Sequence, residues 1–221
     1  MSATDAPSTA VDGDAAGPAP TTDATGRLPY FERMYGDSAD PYGLRTRWYE
    51  ARKRAVLLAA LPHPRYARAY EPGCGAGELT AELAARCDDL LASDFSPRAL
   101  ASARARTATL PNVRIASHVL PGDWPAGTFD LVVVSEMGYF LDADAMRALA
   151  DRCRSALADD GVLVACDWRP DFDARALSTD AVHAALADLG LPRTVHHVED
   201  DFVLDVWCRD ARSVAQREGI R

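Results

Sequence analysis

Apolar and polar positions along this chain repeat with two periods, one typical of buried strands and one typical of amphipathic helices. The strongest strand signal is FDLVVVSE at residues 129–136, whose unbroken apolar run is typical of a strand covered on both faces of a parallel sheet. The clearest helical signal is DADAMRALADRCRSAL at residues 142–157, with an apolar stripe at helical spacing. The pattern therefore predicts strands that alternate with helices.

The predicted elements follow one another in a regular order. Helices are predicted over residues 43–61, 77–87, 96–107, 142–157 and 178–191, and strands over residues 66–71, 90–94, 112–120, 129–136 and 159–168. Residues 194–209 are typical of two strands that meet at residues 199–201, forming an antiparallel hairpin on the sheet edge. This order predicts an α/β fold with a doubly wound, Rossmann-like sheet, mostly parallel with an antiparallel C-terminal hairpin strand.

The first 26 residues differ from the rest in composition. They are rich in Ala, Thr, Pro, Gly and Asp, and they contain no Lys or Arg. Segments with so few large apolar groups cannot offset their ordering entropy, so a disordered tail is predicted for residues 1–26. A secretory signal would need a basic start and an apolar stretch. Residues 27–221 are predicted to form one cytoplasmic domain.

Composition and charge exclude several classes of function. The formal net charge is −9 with dispersed basic residues, which disfavours nucleic acid as the main partner. The apolar runs are too short to cross a bilayer, so no membrane partner is predicted. Five widely spaced cysteines without a Cys-x-x-Cys pair indicate free thiols and no metal site.

A cluster of glycines follows the first predicted strand in EPGCGAGELT, residues 71–80. Side chains at Gly73, Gly75 and Gly77 would block the approach of a ligand to the backbone or forbid a positive φ. Asp94 ends the second predicted strand, nineteen residues after Gly75, where a carboxylate can accept both ribose hydroxyls of a nucleoside. An adenosine-containing ligand is therefore predicted at the carboxyl ends of these strands.

Two observations separate the candidate ligands. A dinucleotide fingerprint needs a glycine at the sixth position counted from Gly73, where this chain has Glu78, and no phosphate-loop Gly-Lys-Ser/Thr occurs. Glu71 and Glu78 flank the loop and would repel a pyrophosphate. S-adenosylmethionine, which has a sulfonium and an ammonium but no phosphate, fits better. An NAD(P)-dependent oxidoreductase and a non-catalytic nucleotide-binding module remain the alternatives.

Four segments also carry a family resemblance. EPGCGAGELT, SDFSP, FDLVVVSEMGYFL and DDGVLVACDW resemble successive motifs of the class I S-adenosylmethionine-dependent methyltransferases. Residues 42–168 resemble, more narrowly, the nodulation protein S group, whose members N-methylate an amino sugar in a chitooligosaccharide signal precursor. The resemblance implies the class I methyltransferase fold, S-adenosylmethionine as cofactor, and methyl transfer to an amine or hydroxyl of a small polar acceptor, with amino sugars and oligosaccharides among the candidates.

The resemblance also assigns cofactor-binding residues by position: Glu71, Gly73, Cys74, Gly75, Gly77, Asp94, Phe95, Ser96, His118, Val119 and Ser135. Glu71 and the glycines would surround the methionine portion, Asp94 would hold the ribose, and Phe95 would lie against the adenine. His118 and Val119 occupy the place where many relatives carry an acid that contacts the adenine amino group, so His118 is a departure.

Methyl transfer from a sulfonium is an in-line displacement that requires neither a nucleophilic residue nor a metal. The resemblance places Glu136 near the methyl group and the substrate entrance, with Tyr139 continuing that wall. Either residue is a candidate catalytic group that receives the proton of an amine acceptor. The alternative for Glu136 is to cap the next turn or contact only the cofactor.

The first predicted helix carries a basic cluster in an otherwise acidic chain: Arg45, Arg47, Arg52, Lys53 and Arg54. Most of these side chains are expected to be solvated, with one available for the cofactor carboxylate or an anionic substrate. The neighbouring Trp48 and Tyr49 have two interpretations, a lid over the cofactor or packing of the helix against the sheet. His183, in the middle of a later predicted helix, is expected to be structural.

Overall fold

The computed structural model describes residues 24–38 and 40–221. Within this part of the chain seven strands form one sheet: β1 (Tyr66–Pro72), β2 (Cys87–Asp94), β3 (Val113–Ser117), β4 (Phe129–Ser135), β5 (Leu157–Trp168), β6 (Arg193–Val198) and β7 (Phe202–Cys208). The helices there are α1 (Ala24–Asp37), α2 (Trp48–Ala60), α3 (Glu78–Leu83), α4 (Pro97–Thr107), α5 (Ala143–Ala156), α6 (Thr179–Ala187) and α7 (Val214–Arg217).

The strand order is β3-β2-β1-β4-β5-β7-β6. β7 lies antiparallel to both β5 and β6, whereas the pairs from β3 through β5 are parallel. The predicted doubly wound sheet with an antiparallel C-terminal hairpin is thus confirmed, with β6 at the edge. The strand order reverses between β1 and β4, and ligands of such sheets bind at this switch point.

Apolar side chains cover both faces of the sheet. Leu131 and Val133 of β4 pack into the cluster on one face, and Val132 and Val134 pack into the cluster on the other. All four are fully buried, which explains the continuous apolar run in the sequence. A strand with one solvated face would alternate instead.

Local capping signals determine where several helices begin. The side chains of Ser96, Asp142 and Ser178 each accept a hydrogen bond from the backbone N–H three residues later. These bonds satisfy N–H groups that have no partner inside the helix.

The helix α1 was not predicted from the sequence. It contains Pro29, a residue that disfavours helix interiors, and it begins at Ala24, inside the predicted tail. The rest of that tail, residues 1–23, lies outside the described residues. Phe31 holds α1 in place by packing against Phe95 and Phe140, and the Arg27 guanidinium donates to the Phe140 carbonyl.

Several element boundaries also differ from the prediction, and a short final helix was missed. β3 ends at Ser117 and α6 at Ala187, each three or more residues earlier than predicted. α2 begins only at Trp48, because residues 41–46 form turns, and α3 ends at Leu83 in a tighter turn over residues 84–86. β2 starts earlier than predicted, at Cys87. Among the helices described, none has the length and hydrophobicity needed to cross a bilayer.

Candidate active site

A cavity of about 710 Å³ opens at the switch point of the sheet. It extends from the glycine loop after β1 to Glu136 after β4, with α1 and α2 contributing its other walls. The volume lies within the range of roughly 300–1,000 Å³ typical of small-molecule sites. Its position is the one that the strand order favours for a ligand.

Most of the predicted site residues meet in this cavity: Glu71, Gly73, Cys74, Gly75, Asp94, Phe95, His118, Val119, Ser135, Glu136 and Tyr139. Gly77 and Ser96 do not line it. Gly77 precedes α3 with φ +81°, and a Cβ there would come 3.1 Å from the Cα of Ala103 in α4. Ser96 caps α4 and donates its hydroxyl to Glu32 of α1. The structure therefore gives these two residues roles in helix packing.

Two glycines of the loop are required by close contacts. Gly73 has φ +74°, and a Cβ there would lie 2.8 Å from the Cβ of Met137. Gly75 has φ +54°, and a Cβ there would lie 2.7 Å from the Tyr35 hydroxyl. A side chain at either position would be strained and would clash. The loop is thus held between α1 and the segment that follows β4.

Asp94 joins the glycine loop to the loop after β2. Its carboxylate accepts hydrogen bonds from the backbone N–H of Gly75 at 3.0 Å and of Ser96 at 2.9 Å. Burial raises the pKa of Asp94, while these N–H groups oppose that rise. The side chain nevertheless lines the cavity, where it can bind a ligand hydroxyl.

The two acids that flank the loop have different environments. Glu78 is paired with Arg45 at 2.7 Å and with Arg106 at 3.1 Å, so its charge is compensated. Glu71 is buried, and within the described residues its Oε2 atom has no hydrogen-bond partner. Burial raises the pKa of Glu71 to about 8. Of the two, Glu71 is the acid with a carboxyl oxygen that lacks a hydrogen-bond partner among the described residues.

The predicted adenine region is bounded by side chains already in contact with one another. The His118 Nδ1 atom lies 3.1 Å from the Tyr70 hydroxyl, and the Val119 N–H donates to the Asp123 carboxylate at 2.9 Å. Phe95 packs edge-to-face with Phe31 of α1. His118 is thus oriented by Tyr70.

Glu136 is at the centre of a polar network at the other end of the cavity. Its Oε1 atom accepts from Lys53 Nζ at 2.5 Å, and its Oε2 atom accepts from the Tyr139 hydroxyl at 2.5 Å and from the Trp168 N–H at 3.1 Å. Glu136 has φ 55°, a left-handed conformation that a non-glycine residue keeps only when its surroundings hold it. Burial raises the pKa of Tyr139, and the Glu136 carboxylate reinforces the shift.

The prediction that the basic cluster would be mostly solvated was wrong for Lys53 and Arg54. Lys53 is only 4% exposed and pairs with Glu50 at 3.0 Å as well as with Glu136. Arg54 pairs with Glu82 at 2.7 Å and is largely buried. The apolar neighbours of these residues in α2 did not indicate that their side chains would pair with acids of other elements, Glu136 after β4 and Glu82 of α3.

Aromatic rings line the cavity around this network. Tyr49 packs edge-to-face against Trp168, which supports the packing interpretation for Tyr49, whereas Trp48 is 78% exposed. Tyr35 and Tyr42, which precede α2, line the same cavity, and sequence reasoning missed both. The signal that could have found them is the density of tyrosines just before the first predicted helix.

His183 does not line the cavity. It is buried between Asp205, 2.7 Å from its Nδ1 atom, and Asp167, 3.1 Å from its Nε2 atom. Although burial opposes the shift, the two carboxylates raise the pKa of His183 to about 9. This arrangement agrees with the predicted structural role. No cluster of three or more potential metal ligands occurs in the part of the chain that the structure describes.

Several known proteins are similar to this chain in both sequence and fold. A family model described as a methyltransferase domain matches residues 69–161. A crystal structure from Pseudomonas syringae, assigned as a methyltransferase, is 50% identical with a TM-score of 0.67, covering 73% of this chain and 99% of that one. The chain belongs to the class I S-adenosylmethionine-dependent methyltransferases.

Within this family the chain is similar to nodulation protein S. The protein from Bradyrhizobium diazoefficiens is 32% identical over 127 residues, which cover 57% of this methyltransferase and 61% of that relative. The crystal structure of the N-methyltransferase NodS from Bradyrhizobium japonicum in complex with S-adenosyl-L-homocysteine is 27% identical, with a TM-score of 0.73 and coverage of 82% and 97%. The alignments with curated nodulation proteins thus span 53% to 61% of their length.

Proposed function

We propose that this methyltransferase transfers the methyl group of S-adenosylmethionine to the amine of a small polar acceptor. The observation that carries the proposal is one continuous cavity with two differently equipped ends. One end has the glycine loop and the unpartnered Glu71 oxygen, and the other has the Glu136 network. Such a cavity can hold a cationic cofactor and an acceptor side by side.

The residues at the loop end fit S-adenosylmethionine. A carboxylate with an unpartnered oxygen suits the ammonium of the methionine portion, and Gly73 and Gly75 line the cavity beside it. Asp94 would bind the ribose hydroxyls, and Phe95 with His118 would border the adenine. The N-methyltransferase NodS, whose fold this chain shares, binds S-adenosyl-L-homocysteine in its crystal structure.

The bound cofactor supplies an activated methyl group whose leaving group is a neutral thioether. The chain's own residues then have two tasks, to place the acceptor lone pair in line and to receive the proton of the amine. Glu136 lies where it can do both, because its carboxylate lines the cavity and Tyr139 holds its Oε2 atom. The aromatic rings of Tyr49, Trp168, Tyr139 and Phe172 line this end of the cavity.

The acceptor class that we favour is an amino sugar or an amino-bearing oligosaccharide. The similarity to nodulation protein S and to the N-methyltransferase NodS supports this choice. Trp168 lines the acceptor end, and aromatic faces commonly support sugar rings.

The five cysteines are buried and unbridged, which supports a cytoplasmic location.

A thermal-shift comparison tests the choice of cofactor. A ligand at about 100 times its Kd stabilises a protein by roughly 2.7 kcal/mol. We expect a rise in Tm with S-adenosylmethionine or S-adenosylhomocysteine and none with NAD. A rise with NAD alone would instead support an oxidoreductase.

Turnover distinguishes an enzyme from a binding module. The purified protein is incubated with methyl-labelled S-adenosylmethionine and a panel of glucosamine, deacetylated chitotetraose, ethanolamine and benzylamine. We expect label in the amino sugars, with less in the simple amines. Cofactor binding without label in any acceptor would contradict the proposed activity.

The affinity for S-adenosylhomocysteine should rise with pH between about 6 and 8. Glu71, with a pKa of about 8, is protonated in this range, and binding an ammonium favours its carboxylate form. Binding must therefore release a proton, and this cost disappears as the pH rises through 8. Calorimetry at several pH values, in buffers of different ionisation enthalpy, measures both effects.

Glu71→Gln is the control for this pH dependence. It removes the titrating group while preserving the side-chain shape, so its affinity should change little over the same range. An equal slope in both proteins would show that another group, or the ligand itself, is responsible.

A further inference from the structure

Three charged side chains form a continuous chain along the acceptor end of the cavity. Glu50 and Lys53 lie one turn apart on α2, and Lys53 Nζ bridges Glu50 Oε2 at 3.0 Å and Glu136 Oε1 at 2.5 Å. The Lys53 side chain is 6% exposed, and that of Glu50 is 11% exposed. All three residues line the cavity.

Lys53 is the partner that orients one edge of the Glu136 carboxylate. The opposite oxygen, Oε2, already accepts from the Tyr139 hydroxyl and the Trp168 N–H. A carboxylate accepts about four hydrogen bonds, so the contact with Lys53 leaves one position on Oε1 for an incoming donor. The direction of that free position depends on where Lys53 holds Oε1.

Glu50, Lys53 and Glu136 together also carry an unbalanced charge. Two carboxylates share one ammonium, which leaves a net negative charge in a largely buried setting. Although burial opposes it, Glu136 and Glu50 raise the pKa of Lys53, so that the ammonium stays charged at neutral pH. A cationic amine approaching Glu136 is therefore attracted, whereas a neutral hydroxyl gains less.

We propose that Lys53 is the positioning residue of the acceptor subsite, holding Glu136 so that its free Oε1 position faces an incoming amine while Glu50 offsets the charge of Lys53. This inference rests on the proposed function, because it deepens the role given there to Glu136. Lys53 acts through Glu136 and need not touch the acceptor.

Several other ionisable groups bear on any pH profile of Glu136. They are Tyr49, Tyr139 and Cys166, on which the Glu136 charge acts directly, and, around these, Glu50, Tyr42, Asp167, Asp201 and Arg175, whose guanidinium lies over the Tyr139 ring. Lys53 is the cation that contacts the Glu136 carboxylate directly. Removing it should therefore make ionisation of the carboxylate harder. The acid limb of the pH–rate profile is the readout that a merely structural residue would not move.

The test uses Lys53→Met, the double variant Glu50→Gln with Lys53→Met, and Arg52→Met as the matched control. Arg52 is the neighbour of Lys53 on α2, but it pairs with Glu199 outside the cavity. The double variant removes one negative and one positive charge, so the net charge around Glu136 is preserved. It remains informative if the single variant fails to fold. Kinetics use the panel amine that the wild type methylates fastest.

For Lys53→Met and the double variant we expect kcat to fall at least about 30-fold, with KM and the cofactor Kd within about threefold of the wild type. The acid limb of kcat should move to higher pH in Lys53→Met, and Arg52→Met should match the wild type. A double variant with wild-type kcat, or an unmoved acid limb together with a uniform loss of activity, would overturn the proposal.

Crystal structures of the wild type and the double variant with S-adenosylhomocysteine provide a readout that needs no acceptor. We expect Glu136 to leave its bond with the Trp168 N–H when Lys53 is removed. An unmoved carboxylate would overturn the positioning role even if the wild type methylates no amine in the panel. A wild type without turnover but with a displaced Glu136 in the variant would contradict only the proposed function.

Discussion

Turnover is expected to fall by about two to three orders of magnitude when Glu136 is replaced by glutamine, a loss typical of removing a general base. Glutamine preserves the shape of the side chain but cannot take the proton of an amine, and its NH2 group would face either Lys53 or the Trp168 N–H, a donor against a donor. Steady-state kinetics with labelled cofactor measure kcat, and calorimetry with S-adenosylhomocysteine measures the cofactor Kd, which should stay within about threefold.

The same substitution at Glu199 is the matched control. Glu199 also pairs with a basic residue of α2, Arg52, but it lies outside the cavity. Glu199→Gln should therefore leave kcat unchanged. If Glu136→Gln lowers cofactor affinity as much as it lowers turnover, Glu136 holds the cofactor and the catalytic role is wrong.

Replacing Asp94 with alanine is expected to weaken cofactor binding by at least about 100-fold, since each hydrogen bond to a charged group contributes roughly 1.5–3 kcal/mol. The variant would lack the proposed bonds to the ribose and also the bonds from the Gly75 and Ser96 N–H groups to the carboxylate. The loop would then be less well ordered for binding. Calorimetric titration with S-adenosylhomocysteine measures the change.

Asp89→Ala provides the comparison on the same strand. Asp89 is half-buried near the start of β2 and pairs with Arg114, outside the cavity, so its removal should leave the cofactor Kd unchanged. Circular dichroism should show that Asp94→Ala keeps its secondary structure. Cofactor affinity within about threefold of the wild type in Asp94→Ala would contradict the ribose role, because the loss of two hydrogen bonds to a charged group should reduce the binding free energy by more than that.

The fold could be predicted from local patterns because those patterns are its physical cause. The run at residues 129–136 is apolar throughout because both faces of β4 are buried, and Ser96 and Ser178 cap helices through bonds to nearby N–H groups. The prediction failed where the local pattern was weak. Pro29 weakened the helical pattern of α1, a helix that packs against Phe95 and Phe140.

The candidate site divides in the same way. The loop at Gly73 and Gly75 and the acid at Asp94 could be located because strand ends and glycine spacing place them at one edge of the sheet. The sequence could not predict that Gly77 and Ser96 lie outside the cavity, because their positions depend on how α1 and α4 pack around them. Sequence spacing does not distinguish a glycine that contacts a ligand from a glycine that contacts a helix.

By itself the sequence determined the order of strands and helices, the edge of the sheet that carries the site, and the kind of ligand that its acids and glycines suit. Only the tertiary structure decided that Lys53 would meet Glu136 across 83 residues of chain and that Tyr35 would lie against Gly75. The reason is physical. Local hydrogen bonds and hydrophobic periodicity act within a few residues, whereas the environment of a buried charge depends on which helices pack across the sheet edge.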